Sequence, residues 1–525
     1  MTRDAPTGRR QLPVVSDKAP AEIPAHPGGA LFEGDRVRIG MITLGCDKNT
    51  VDTERTLARL AGAGATVQSG ADDVDVVIIN TCGFIDSAKE ESIETILEAV
   101  RMKKDGTVRA VVAMGCLVQR YKSELEVEIP EVDLFLGLTE ADRLVPTLRA
   151  RGVLPETPPV SLMEQPLRLL STHNRHTSYL KVSEGCDHTC AFCAIPLMRG
   201  KHRSTPMDVL VREAQQLSAA GVVELNLISQ DTTWYGRDLA RGFTNEGDHD
   251  YFVGKTFDGM AGPLDGVATA TRSSAAATIT DPAARNGLLP VLLRRLLNET
   301  EVPWFRLFYM YPSGISRELV ELMAGETRLL PYLDMPIQHG SDSILKRMRR
   351  PERVATIRER VSWLRGAIPD LTLRTTVIVG FPGETDDDFD AMLDLLREIR
   401  FDRLGAFPYS PEESTLAASM SDMVPDVVKR ERMELLFDVQ RAITLERNDA
   451  WVGRETQVMI DEIVGRDTEI AGDSGARGAI ARTRGQAIEV DGVVHIDDAR
   501  GAKPGDMLIA RITDALEDDL VGELV

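Results

Sequence analysis

Residues Glu184–Arg203 read EGCDHTCAFCAIPLMRGKHR and place Cys186, Cys190 and Cys193 in a C-x3-C-x2-C spacing, with the aromatic Phe192 just before the last sulfur. The preceding run Tyr179–Ser183 is predicted as a strand that leads straight into them. Three thiolates on one loop are one short of the four that close a structural zinc site or a four-cysteine iron–sulfur site. A cube of four irons and four sulfides held by three cysteines keeps one iron open for a small molecule. A zinc knuckle completed by His188 or by a distant ligand is the competing assignment.

Working outward, the strand before this loop is the first of six candidates, each separated from the next by room for a helix. The others are Val222–Ser229, Trp304–Tyr309, Tyr332–Ile337, Leu373–Val379 and Arg403–Pro408. Upstream, RVRIGMITLGC ends at Cys46, VDVVIINTC at Cys82 and RAVVAMGC at Cys116, with helical stretches near Asp52–Ala63 and Ser87–Lys103 between them. Alternating β and α segments imply a parallel sheet whose strands share one carboxyl edge, where ligands collect. All three cysteines fall at that edge, as ligands of a second three-cysteine cluster would; the plainer assignment is small buried core residues.

The chain has 525 residues, enough for about three domains. Its 27% charged and 43% hydrophobic content is that of a globular protein, and no apolar run approaches the roughly 18 residues of a membrane span. The first residues lack the apolar core of a signal peptide, so a cytoplasmic location and no membrane are expected. There the six cysteines would be reduced and available to metals rather than paired in disulfides. A net charge of −21 disfavours binding a polyanion by electrostatics alone and favours a basic protein partner.

Residues 1–34 read as a disordered leader and Arg151–Ser171 as a linker containing PETPP. From about Arg454 to Val525, the runs TQVMIDEI, QAIEVDGVVHI and DMLIARITDAL, broken by Gly and Pro-Gly, predict a small antiparallel barrel. This segment holds 8 Lys plus Arg against 16 Asp plus Glu, a net of −8. Its sign repels phosphates and suits a Lys/Arg-rich protein, although acid also keeps a protein soluble.

LGCDKNTVDTE, NTCGFIDSAKEES and MGCLVQRY resemble the amino-terminal domain of the methylthiotransferases, enzymes of the radical S-adenosylmethionine (radical SAM) class that carry two clusters. ISQDTTWYGRDL, LDMPIQHGSDSILKRMRRP, TTVIVGFPGETDDDF and the ending ITDALEDDLVGELV resemble the RimO branch of that family, which modifies an aspartate of small-subunit ribosomal protein number twelve. The likeness covers about residues 36–238 and 288–525. It lapses over a Gly-, Ala-, Thr- and Ser-rich insertion, 239–287, expected to be disordered. There, GKT at Gly254–Thr256 lacks the first glycine of a phosphate loop.

The resemblance implies an α/β protein of three parts. These are a parallel-sheet domain over 35–150, a partial (β/α)6 radical SAM barrel over 172–450 and a TRAM-like antiparallel β-barrel over 454–525. It implies two 4Fe-4S clusters, one on Cys186, Cys190 and Cys193 and an auxiliary one on Cys46, Cys82 and Cys116. SAM would be consumed twice per turnover, with Phe192, Gln338 and Gly380 as candidates for its site. GFPGE, Gly380–Glu384, has a plainer assignment as a tight strand-to-helix turn with Asp386–Asp388 favouring the helix start.

The reaction so implied replaces hydrogen on an unactivated aspartate β-carbon, which no side-chain base or nucleophile achieves and a cofactor-supplied radical does. One cluster would pass an electron to SAM and the other would hold the sulfur that is methylated and transferred. Arg199, Lys201, Arg203, Arg306 and Arg374 are candidate cations for the substrate carboxylate. An electron donor such as flavodoxin or ferredoxin is implied, and a monomer is expected. The rivals are a methylthiotransferase acting on an adenosine of transfer RNA, the MiaB type, and a non-catalytic zinc protein that docks on the ribosome. Salt-sensitive RNA binding would mark the first, and zinc without acid-labile sulfide the second.

Overall fold

The computed structural model describes residues 36–155, 166–170, 175–240, 287–465 and 477–525. The expected leader, almost all of the 239–287 insertion, part of the 151–171 linker and the GKT tripeptide lie outside the described residues. The chain divides into two compact units.

The first unit joins the chain up to Gln165 with Ala191–Arg199 and Ser410–Met420. Its sheet is built from β1 (Arg38–Thr43), β2 (Thr66–Ser69), β3 (Val76–Thr81), β4 (Ala110–Gly115) and β5 (Leu134–Gly137), all parallel in the order β2-β1-β3-β4-β5. Every residue of β3 and β4 is buried, because helices cover both faces of a parallel sheet. Continuous Val/Ile runs follow from that, and α2 (Asp86–Lys104) packs Ile96, Ala99 and Val100 onto them. Ser410–Met420 is fastened here by Glu412, which accepts from Lys89 at 2.8 Å and from Arg120 at 3.2 Å.

The second unit opens with β6 (Thr177–Lys181), followed by a short pair, β7 (Ser183–Glu184) and β8 (Arg203–Ser204). β9 (Glu224–Ile228), β10 (Trp304–Leu307), β11 (Leu329–Asp334), β12 (Thr372–Val379) and β13 (Arg403–Pro408) then complete a six-stranded parallel sheet in the order β13-β12-β11-β10-β9-β6. The six expected strands are all present, and β11 begins three residues before its expected start. Consecutive order with helical crossovers is that of a partial (β/α)6 barrel, and its core runs from Leu180 and Leu225 through Phe305 and Leu333 to Leu373.

β14 (Glu455–Val464), β15 (Gly478–Thr483), β16 (Val494–Ile496), β17 (Met507–Ala515) and β18 (Leu520–Leu524) form a closed barrel within the same unit. Sequence runs marked three of these strands. QAIEVDGVVHI contributes only its last residues as β16, because Ala487 and Asp491 close a turn before it. The barrel is not wholly antiparallel: β16 and β18 pair in parallel.

A buried ion network ties this small barrel to the larger one. Glu224, at the start of β9, accepts from Arg306 of β10 at 2.8 Å and from Arg482 of β15 at 2.7 Å. Arg482 also holds Asp461 at 2.6 Å, and His176 meets Asp461 at 2.8 Å. Burial alone would raise the Glu224 carboxyl, but Arg482 and Arg306 outweigh it and hold it at about 2.

Candidate functional site: two cysteine triplets at strand ends

The first triplet lies wholly in the first unit. β1, β3 and β4 are neighbours, and their carboxyl ends lead to Cys46, Cys82 and Cys116. Cys46 precedes α1 (Asp47–Gly62), Cys82 directly follows β3, and Cys116 opens α3 (Cys116–Glu128). Gly45 has a φ of +88°, and a Cβ there would fall 2.8 Å from Cys82 Sγ, so only glycine lets the first loop close against the second.

Asn49, fully buried in the first turn of α1, organises the three loops. Its Nδ2 donates to the carbonyls of Leu44 at 2.7 Å and Thr81 at 3.1 Å, just ahead of Cys46 and Cys82. Its Oδ1 faces Cys116 Sγ at 3.8 Å and accepts from Arg199 Nη2 at 2.6 Å. Arg199 also reaches Asp52 at 3.2 Å. Ser92 fixes the second loop by accepting from Cys82 N and donating to Cys82 O, both at 2.9 Å.

Burial pushes the Cys116 thiol up to about 12 and raises Cys82 as well, against the lowering pull of Arg199. Both are therefore neutral thiols at pH 7 unless a bound metal deprotonates them. Among the described residues no three His, Cys, Asp or Glu side chains converge as ligands of one ion must. Cysteines of a four-iron cube each reach a different iron, and three cysteines at the ends of neighbouring strands, with the Arg199 cation beside Asn49 and Cys116, are a donor set that fits that group.

Substituting Asn49→Ala removes one side chain that holds three loops. Each buried partner left unsatisfied costs about 1–3 kcal/mol. The expected result is a lower urea midpoint for the metal-free chain and a fall from about eight to about four irons per reconstituted chain, read by iron analysis.

The second triplet begins after β6. Gly185 has a φ of +71°, and a Cβ there would sit 2.1 Å from the Lys201 carbonyl oxygen, while Cys186 N donates to Gly200 O at 3.0 Å. These contacts fold the loop back on β8. Cys186 and Cys190 are buried, and Cys193 is half-buried. Ala194, bonded to Cys193, packs with Met198 on Cys116 in the first unit.

His188 is held by an acid and an aromatic ring. Its Nε2 meets Asp231 at 2.7 Å, and its ring stacks on Tyr311 with centroids 4.2 Å apart. Cys190 Sγ has the Tyr311 hydroxyl at 3.8 Å and Arg350 Nη1 at 4.0 Å.

Gln338 follows β11 with a φ of +68°, held by two backbone hydrogen bonds with β12: its N–H donates to Thr376 O and its carbonyl accepts from Ile378 N, both at 2.9 Å. Gly380 takes a φ of +73°, and its N–H goes to Glu384 at 2.7 Å. A Cβ at Gly380 would meet Lys429 Cγ at 2.4 Å, so the close neighbour that requires glycine here is a side chain of the protein. Thr385 and Asp388 form a capping box over the following helix. GFPGE thus has the geometry of the tight strand-to-helix turn.

Of the five candidate cations, Arg199 is engaged with Asn49 and Asp52. Arg306 belongs to the Glu224 network, and Arg374 pairs with Asp334 at 2.8 Å. Sequence reasoning passed over Asn49, Tyr311 and Arg350. Only Asn49 carried a local signal, a polar residue three places after a cysteine inside a helix that begins at it.

The fold and the two triplets define a radical SAM enzyme with a second, sheet-edge cysteine set. Residues 38–137 match the model described as Uncharacterized protein family UPF0004, 180–396 the Radical SAM superfamily and 452–525 the TRAM domain. The chain is 38% identical to the "Ribosomal protein uS12 methylthiotransferase RimO" of Symbiobacterium thermophilum, across 97% of this chain and 94% of that protein. It is 40% identical to the protein of the same name from Anaeromyxobacter sp. (strain Fw109-5), across 93% of each. A solved structure, the radical SAM methyltransferase TsrM from Kitasatospora setae, aligns with a TM-score of 0.46 at 13% identity, over 71% of this chain and 75% of that one. The chain belongs to the RimO family of radical SAM methylthiotransferases.

Proposed function

We propose that this protein transfers a methylthio group to the β-carbon of an aspartate in ribosomal protein uS12, using SAM and two 4Fe-4S clusters. The observation that carries the reading is the placement of Cys46, Cys82 and Cys116 at the carboxyl ends of three adjacent strands, in a chain that also bears the C-x3-C-x2-C loop after the first barrel strand. When bound, the cluster on Cys186, Cys190 and Cys193 supplies the electron that splits SAM, and the cluster on Cys46, Cys82 and Cys116 holds the sulfur to be transferred.

The chain's own residues do the positioning. Gly185 and the Cys186 amide close the first loop, while Asn49 and Ser92 fix the loops of the sheet edge. Phe192 and Gln338 are assigned to SAM, and Gly380 shapes the strand-to-helix turn after β12. Burial of five of the six cysteines, wholly or in part, limits water at sites that need a reduced, reactive group.

The acidic carboxy-terminal barrel favours a basic protein over RNA, since Arg482 is buried in the Glu224 network and Arg511 is taken up by Glu455 and Glu523. A one-electron donor of the flavodoxin or ferredoxin kind, a monomeric state and a cytoplasmic location complete the reading. Among the described residues no helix is long and apolar enough to cross a membrane.

The test is anaerobic reconstitution with iron, sulfide, SAM and dithionite, with uS12 and transfer RNA offered separately and both analysed by mass spectrometry. The expected outcome is a gain of about 46 Da, CH3S for H, on one aspartate of uS12. The same gain on an adenosine would overturn the substrate assignment, and zinc in place of iron and sulfide would overturn the chemistry.

A further inference from the structure

The Cys190 sulfur is met by side chains that come from two other strand–helix connections of the barrel. Tyr311 follows β10 and brings its hydroxyl to 3.8 Å; Arg350 follows β11 and brings Nη1 to 4.0 Å. Neither group is free to swing away. The Tyr311 ring lies parallel to His188, at 2° and 4.2 Å, and the Arg350 guanidinium stands 3.9 Å from its centroid. His188 is anchored on Asp231, whose other oxygen accepts from Thr233 N at 3.0 Å. Arg350 is 3% exposed, donates to Pro336 O at 3.0 Å and pairs with the buried Glu352.

A donor and a full positive charge fixed on one ligand sulfur, away from water, are the levers by which a protein sets the potential of an iron–sulfur group. We propose that Tyr311 and Arg350 are positioning residues that raise the reduction potential of the cluster ligated by Cys190, with Glu352 tempering their effect. The inference rests on the cluster assignment of the preceding section. One electron enters from dithionite, the core charge falls from +2 to +1, and no bond forms or breaks. The guanidinium and the hydroxyl stabilise the electron-rich sulfur of the reduced state. The Glu352 carboxylate opposes them, so removing either member of the Arg350–Glu352 pair must move the potential in opposite directions.

The experiment uses the full chain with Cys46, Cys82 and Cys116 replaced by alanine, so that one cluster remains to be observed. Iron and sulfide near four each verify its loading. Redox titration with dithionite, followed by electron paramagnetic resonance of the reduced cluster, reads the midpoint. Arg350→Gln is expected to lower the reduced-to-oxidised ratio at fixed potential about tenfold, which is 59 mV for a one-electron couple. Tyr311→Phe should lower it by a smaller factor, and Glu352→Gln should raise it. Arg350→Lys, which restores the charge, should recover most of the loss.

Midpoints that stay put, or that move the same way for Arg350→Gln and Glu352→Gln, overturn the inference while leaving the cluster intact. Should Arg350→Gln fail to load, the Tyr311→Phe and Glu352→Gln pair decides by the same opposition of sign. A parent chain that takes up no iron and sulfide at this loop sinks the cluster assignment and this inference with it.

Discussion

A Cys186→Ala chain is expected to form neither methylthiolated uS12 nor 5'-deoxyadenosine, whereas a Cys82→Ala chain should still release 5'-deoxyadenosine from SAM while making no methylthiolated product. The loss of product should exceed the roughly 10–100-fold typical of removing a group that merely supports a metal ligand. Cys186 is one of only three sulfurs on its loop, and its amide is already used to close that loop on Gly200 O at 3.0 Å. The histidine of the same loop, His188, is engaged with Asp231 at 2.7 Å. Cys82 stands at the sheet edge in the other triplet, held by Ser92. Chromatography of the nucleoside and mass spectrometry of uS12 read the two reactions separately. Loss of both products in both variants would mean that the triplets do not divide the work.

Removing Glu224 should be the most damaging single change outside the cysteines. Glu224→Ala leaves Arg306 and Arg482 buried without their shared carboxylate, and breaking such a pair costs about 3–5 kcal/mol. The expected result is early release of the small barrel, seen as faster amide exchange in β14–β18 than in β9–β12. Glu224→Gln keeps the shape and removes the charge, which isolates the electrostatic part.

The same carboxylate predicts an acid limb. Its folded value, about 2, lies below the ordinary 4.5, so its contribution is complete above pH 4.5 and is lost as pH falls toward 2. That shift corresponds to about 3 kcal/mol. In the metal-free chain, the stability gap between wild type and Glu224→Gln should therefore narrow across that window. A gap of constant size down to pH 2 would show that Arg306 and Arg482 do not govern the acid.

Strands buried on both faces announce themselves. β3 and β4 are continuous Val/Ile/Ala runs because helices cover each side, and the cysteine at the end of each run was visible with it. β2 reads TVQS and is exposed at the sheet edge, so it carried no such run. β15 and β18 are short strands that pair antiparallel with the strands just before them, β14 and β17, and their few residues leave no clear local periodicity.

The sequence alone therefore determined the two cysteine triplets, the strand ends that present them and the α/β order that brings those ends to common edges, since each is a local consequence of spacing and two-sided burial. Tertiary structure decided what surrounds the sulfurs. Arg199 meets Asn49 across 150 residues, while Tyr311 and Arg350 meet Cys190 across 121 and 160. A charged or hydroxyl side chain far along the chain leaves no periodic trace of its destination; only strand register and crossover direction choose which sulfur it will face.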